Sequence, residues 1–461
     1  MLYAAQTSML SKIPRRYWAI AVVAVIIVIY ACSNNTQSLR TQQSESRFGV
    51  PISRFAGAET FRHVRSPELI EEVKKLVEQN GLPADIFVDN IPQETNIALA
   101  LDSLFHEYYL REPNDLQKLW EASPIDDWEV DKQALDRIAD ILVQFDVKRR
   151  VIRNMLRQTR TTRFYYIFDY RDSLGTIVLS GTPVNTSASK YLADYALLEE
   201  YVVAQSLLEG NIDAAMEALA FIFRIAYLAT KLENVGVRGD AALVRLRTFK
   251  VMQRVVLDPQ FNRNHMAFLR DMLLEQYENW TSEYVTWFGD RASGISLYHR
   301  ILLDGAENAL EEREFNLLNE RGVWNTFSRN FRRNHESDAV FYLRSMQKIL
   351  DVSDRPFVDR QDVLRQIDRD IFLQKDTMGE FFVANILLKD IENLMRIFAK
   401  DKSALSRAIV VIQQSLGQGN TDGYRDPFTG EPYEVRRVDG RLSVSAENFP
   451  HPFRVPIYAS P

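Results

Sequence analysis

The sequence predicts a mainly α protein: an irregular, solenoid-like stack of antiparallel helix pairs. A small C-terminal β-hairpin closes it and an N-terminal membrane segment precedes it. Three observations predict this. Apolar residues recur at helical spacing through most of residues 67–424. Gly210-Asn211 joins two amphipathic runs across a link so short that the helices must fold back on each other. Asp439-Gly440 lies between two short alternating runs and is a hairpin signal, because a type I′ turn needs positive φ at both positions.

The segments follow in order. Lys12, Arg15 and Arg16 precede an uncharged apolar run from Tyr17 to Ala31. Basic residues before such a run favour a cytoplasmic N-terminus and export of the remainder. The run falls short of the roughly 20 residues that span a bilayer comfortably. Residues 1–32 therefore read either as a cytoplasmic n-region with a short uncleaved anchor, or as a lipoprotein signal. In the second case Ile29-Tyr30-Ala31-Cys32 resembles the bacterial lipobox and Cys32 is the lipidated residue. A buried core helix is a third reading. Both membrane readings put the bulk on the periplasmic side, anchored to the cell membrane, or to the outer membrane if Cys32 is lipidated. Cys32 is the single cysteine, which excludes an intramolecular disulfide and a Cys-rich zinc site.

Residues 33–66 are Ser/Gln/Thr/Asn-rich and read as a flexible polar stalk, too poor in apolar residues to offset ordering entropy. Folded structure is expected from Ser66-Pro67, an N-cap and first-turn pair, with Ile70, Val73 and Val77 following and Gly81 as the stop. Ile97, Leu101, Leu104, Phe105 and Tyr108 form a second stripe; Leu135, Ile138, Ile141, Leu142 and Phe145 form a third. These belong to an N-terminal helical region, 67–187, that ends in the aromatic stretch 163–187, either a short hairpin or an extended crossover. The helix-pair domain, 188–424, splits at Gly210-Asn211. It continues through Leu243–Leu257, Met266–Tyr277, Ala339–Leu350 and Phe381–Phe398. "LLEGNIDAAMEAL" has the look of one tetratricopeptide-type pair, but no 34-residue register recurs.

The C-terminal segment, 425–461, contains "DPFTGEPYEVRRVDGRLSVS". Closing a turn at Asp439-Gly440 pairs Val435 with Val444 and separates an apolar from a polar face. Since an isolated hairpin is marginal in water, its apolar face should cover the last helices, 381–416. The stretch resembles the C-terminal signature of uncharacterised helical bacterial proteins of planctomycete type, which carry Asp-Pro-Phe/Tyr-Thr/Ser-Gly-x-Pro before a short hairpin. The similarity extends weakly over about residues 188–445. This chain has only "GQGNTDGYR" where those proteins have a longer insert. The resemblance implies no activity.

A hydrophobic share of 46%, a charged share of 26% and a net charge of −6 over 461 residues are ordinary for a folded protein. They give no reason to expect a nucleic-acid partner. The six histidines form no His-x-x-x-His pair, no Gly-x-Ser-x-Gly elbow occurs, and no phosphate-cradling loop is present. "DDWEVD" at 126–131 lacks the glycine and terminal glutamate of a calcium loop and reads as carboxylates at a helix N-terminus. The aromatics of "YENWTSEYVTWF" read as helix packing. No catalytic, metal or cofactor residues are assigned, and no cofactor is expected.

Arg149, Arg153, Arg157 and Arg160 line one side of a predicted helix. They read either as a face pairing with neighbouring carboxylates, or as a contact for anionic lipid headgroups or an acidic envelope protein. The expectation is a membrane-tethered, extracytoplasmic helical binding or scaffold protein of the bacterial envelope, without an evident catalytic centre. The alternatives are an envelope hydrolase with dispersed carboxylates, or a secretion or surface-assembly component.

Overall fold

The computed structural model describes residues 66–69, 71, 72, 97, 101, 105, 125, 126, 129–158, 170, 171, 177, 178, 187–230, 235–304, 324–378, 383–418, 421, 423–446 and 449–458. They fall within one unit, Ile52–Pro461. Among them no helix is long and apolar enough to cross a membrane; the Tyr17–Ala31 run and the stalk lie outside the described residues. The description is mainly helical, with a small antiparallel sheet at the C-terminus.

A minimal hairpin of β1 (Ile125–Asp126) and β2 (Glu129–Val130) leads into α1 (Lys132–Gln158). Of the carboxylates expected at a helix N-terminus, Asp126 and Glu129 sit in paired strands, while Asp131 directly precedes α1 and its carbonyl accepts the Leu135 N–H at 3.2 Å. A second pair, β3 (Tyr170–Arg171) and β4 (Ile177–Val178), resolves the aromatic stretch as a short hairpin.

Then come α2 (Ser187–Leu208), α3 (Ile212–Thr230) and α4 (Val235–Val256), each packed on the other two. Gly210 makes the α2–α3 turn at φ +68°, a backbone state that disfavours any side chain. Asn211 caps α3 by accepting the Ala214 N–H at 3.1 Å. Next is α5 (Arg263–Glu278), whose start is a capping box: Asn262 accepts from the N–H of Asn264 and His265, and Nδ1 of His265 accepts the Asn262 N–H at 3.1 Å. One of the scattered histidines thus has a structural task.

The second half comprises α6 (Glu283–Asp304), α7 (Trp324–Val352), α8 (Phe357–Met378), α9 (Val383–Leu388) and α10 (Ile391–Ser415). The continuous helix expected over Phe381–Phe398 is broken by a turn at Lys389-Asp390. The start of the short α9 is held in place by Asp338 of α7. Its buried carboxylate accepts the N–H of Val383 at 2.8 Å and of Ala384 at 3.1 Å, and the Tyr298 hydroxyl at 3.0 Å. Two core clusters result. One joins α1 to α2, α3 and the first part of α4 and takes in Ile97, Leu101 and Phe105. The other joins α3, α4, α5 and α10 to the C-terminal sheet.

That sheet has three strands rather than the two expected: β5 (Val435–Val438), β6 (Arg441–Val444) and β7 (Phe453–Val455), in sequence order. Val435 pairs with Val444, and Asp439 and Gly440 turn at φ 50° and 73°. Val444, Phe453 and Val455 are fully enclosed against α10, which covers the apolar face.

The Asp-Pro-Phe-Thr-Gly stretch has a separate task. The Pro427 and Phe428 carbonyls accept the first two N–H groups of α8, Phe357 at 3.0 Å and Val358 at 3.1 Å. A helix start leaves such donors orphaned, and here the cap arrives from about 70 residues downstream. Asp426 folds the turn, accepting the Phe428 N–H on its side chain at 3.0 Å and the Gly430 N–H on its carbonyl at 2.7 Å. Gly430 sits at φ +81°, and a Cβ there would lie 3.1 Å from Pro356. The Phe428 ring packs against Phe357 at a tilt of 41°, with centroids 4.7 Å apart.

Two predictions follow from this packing. A Cβ on Gly294 in α6 would stand 2.1 Å from the Tyr342 hydroxyl oxygen of α7. Gly294→Ala should therefore destabilise the chain by about 2–3 kcal/mol, the usual cost of overpacking, despite the better helix propensity of alanine; urea unfolding measures it. Burial pushes the Asp338 carboxyl up from 3.8 to about 7, outweighing its three hydrogen bonds, and pushes Glu200 up from 4.5 to about 7, outweighing Arg247. Each keeps its proton to about pH 7 when folded and releases it near its ordinary value when unfolded. The folded chain therefore holds more protons across that window, and stability falls as pH rises through it. The urea midpoint should be lower at about pH 8 than at about pH 5.

Candidate functional site

Charge is concentrated at three places, and the question is which of them has capacity left for a ligand. The arginine stripe of α1 has little. Arg153, 9% exposed, binds Glu199 of α2 in a bidentate pair, Nε to Oε1 at 2.9 Å and Nη2 to Oε2 at 2.5 Å. Arg149 donates to the same carboxylate at 3.3 Å and to Asp146 at 2.5 Å. The Tyr195 hydroxyl donates to Glu199 at 2.9 Å. Glu217 of α3 accepts from Arg153 at 3.1 Å and from Arg157. Burial lowers the pKa of Arg153, but its bond to Glu199 overrides this and holds the guanidinium above its ordinary value. Both Arg153 and Arg157 also lie over the Phe221 ring, at 4.9 and 5.3 Å. The stripe docks α1 on α2 and α3. Arg160 and Cys32 lie outside the described residues.

The second place is buried where α4, α6, α8 and α10 meet. Arg245 and Asp401 form a bidentate pair across 156 residues, with Nε to Oδ1 at 2.7 Å. Both are within 1% of complete burial. Arg245 also donates to the Thr230 hydroxyl at 3.1 Å and lies over Trp280 at 4.8 Å. Arg238, pushed down to about 10 by burial, donates to the Thr281 and Ser282 carbonyls at 2.9 and 3.1 Å and to the Thr286 hydroxyl at 2.6 Å. Arg360 grips Glu283 through two bonds of 2.6 and 3.2 Å. These arginines tie the start of α6 to the rest of the stack. The aromatics of the 277–288 stretch take part as packing: Trp287 and Phe288 are almost completely enclosed.

The third place differs. In the C-terminal sheet the register puts Arg436, Ser443 and Arg454 in one cross-strand row on the face away from α10. Arg441 shares that face two residues before Ser443. Beyond β7 the chain uses a side chain as a strand mimic. Gln253 of α4 donates Nε2 to the Arg454 carbonyl and accepts the Arg454 N–H on Oε1, both at 2.6 Å. Between this edge and the end of α4 lies a cleft of about 270 Å³, lined by Gln253, Leu257, Arg441, His451, Pro452 and Arg454. No carboxylate lines it. Among the described residues the Arg441 and Arg454 guanidiniums have no hydrogen bond or ion pair; Arg454 is bonded only through its backbone.

Sequence reasoning singled out none of these lining residues. The available signal was the alternation of Phe453, Arg454 and Val455 between two prolines, which marks a short edge strand. Among the described residues no group of three His, Cys, Asp or Glu side chains could hold a metal ion.

Arg245→Ala leaves Asp401 buried without its counter-ion and should cost about 3–5 kcal/mol, whereas Arg245→Met with Asp401→Leu should come within about 1–2 kcal/mol of the parent, as apolar replacements of buried ion pairs do. Urea unfolding of the two variants makes the comparison. No family model, curated protein or solved structure matches the chain.

Proposed function

We propose that the chain is a membrane-tethered, extracytoplasmic helical binding or scaffold protein of the bacterial envelope. The observation that carries the binding part is the contrast between its arginines. Arg153, Arg238, Arg245 and Arg360 are bonded inside the helical stack, while Arg441 and Arg454 stand beside a cleft and have no acid partner among the described residues. A buried cation must be compensated by the fold. An uncompensated one on a rigid edge is available to a partner. The tether is supported by Lys12, Arg15 and Arg16 ahead of the Tyr17–Ala31 run, with Cys32 as its terminus or its lipidation site. The stalk of residues 33–66 then holds the stack away from the bilayer.

Protease treatment of spheroplasts from cells expressing the full chain tests the reading, combined with intact-mass analysis of the membrane extract. The folded portion should be digested from outside, and the extracted mass should match either the uncleaved chain or a lipidated form beginning at Cys32. Full-length protein recovered from the soluble cytoplasm, protected from protease, would overturn it.

A further inference from the structure

We propose that the cleft between α4 and the C-terminal sheet binds a small organic carboxylate carried on a compact apolar body, of the kind found in an N-acylated aliphatic amino acid. The inference rests on the binding reading above and names its ligand class. Shape comes first. About 270 Å³ is at the lower edge of ligand-pocket sizes, roughly nine times the volume of a liquid water molecule, so it suits a fragment of about ten heavy atoms rather than a nucleotide-sized cofactor.

Lining comes second. Leu257, Pro452 and the aliphatic stems of Arg441 and Arg454 offer apolar surface, since long basic side chains cover apolar groups with their methylenes and keep the charge at the rim. Inorganic phosphate has no apolar part to place there.

Charge comes third. Two guanidiniums without partners among the described residues flank the cleft, and a planar fork matches a carboxylate through two parallel bonds. Glu434 beside the sheet is paired with Arg436 at 2.6 Å, and a further opposing influence is the carbonyl end of α4, equivalent to about half a negative charge. Asp258, just beyond it, is itself paired with Arg254 at 3.8 Å. Two full positive charges outweigh that end.

Rigidity comes last. Both polar ends of the Gln253 amide are fixed by the Arg454 backbone, so the backbone edge of the cleft is held to α4 before a ligand arrives, which lowers the cost of binding.

The test is calorimetric titration of the detergent-extracted full chain with N-acetyl-leucine, N-acetyl-leucinamide and inorganic phosphate. The acid should bind with a Kd of about 1 mM or tighter, and the amide and phosphate at least about tenfold more weakly. Arg454→Gln should weaken the acid about tenfold, and Arg441→Gln with Arg454→Gln should remove detectable binding. Leu257→Trp, which fills the cleft and leaves both cations, should also remove it. Circular dichroism and the urea midpoint confirm that each variant is folded. Equal binding of acid and amide, phosphate binding as tightly as the acid, retention of binding in the double arginine variant, or no heat from the parent at about 10 mM ligand would each overturn the proposal. Spheroplast digestion of the same preparation reads the tether separately, so an empty cleft and a mislocated protein are distinguishable results.

Discussion

A long cation cannot enter a helical interior unless the fold supplies acceptors for it, and this requirement organises the molecule. The Arg245–Asp401 pair is its strongest expression: two groups far apart in sequence, both almost fully enclosed, joined by two hydrogen bonds. Their geometry fixes α10 against α4. Once α10 is fixed, its other side is the platform for Val444, Phe453 and Val455, and so for the sheet that carries the cleft. Desolvation makes such pairs poor sources of net stability, but their partner-specific geometry rejects neighbouring registers that apolar packing alone would tolerate.

The same logic separates the three charged regions. At the α1 seam, Glu199 is enclosed and already receives three donors, Arg149, Arg153 and Tyr195. Arg157 is half exposed but shares Glu217 with Arg153. At the junction of α4, α6, α8 and α10, backbone carbonyls and hydroxyls complete what the carboxylates do not. At the C-terminal sheet Arg436 is paired with Glu434, but among the described residues Arg441 and Arg454 keep their hydrogen-bonding capacity. Function is read from this difference in satisfaction rather than from the count of basic residues.

How much of this was legible beforehand depends on the range of the interactions involved. The α2–α3 split, the Ser66 cap, which accepts the Leu69 N–H at 3.3 Å, and the Asp439-Gly440 turn are local events within four residues, and the sequence carries them openly. The stripe Arg149, Arg153, Arg157 was visible as a helical face, but its acids on α2 and α3 lie 46 to 64 residues away, beyond any periodicity. Strand β7 is three residues long between prolines, so the alternation of Phe453, Arg454 and Val455 covers a single period and is a weak signal. Its pairing depends on Gln253, a single polar residue in a long helix that gives no sign of acting as a strand edge. The cleft was invisible for the same reason: its walls come from α4, β6 and the segment around His451.

The clamp formed by residues 426–430 has a bearing on the history of the polypeptide as well as its shape. Helix α8 can coil as soon as its own residues have left the ribosome, yet the Phe357 and Val358 amides find their acceptors only when Pro427 and Phe428 have been synthesised. Until then that end of the helix must borrow water. Residues 426–430 thus finish an element begun well before them, and a ribosome stalled short of Asp426 would release a stack whose helix α8 is frayed at its leading turn.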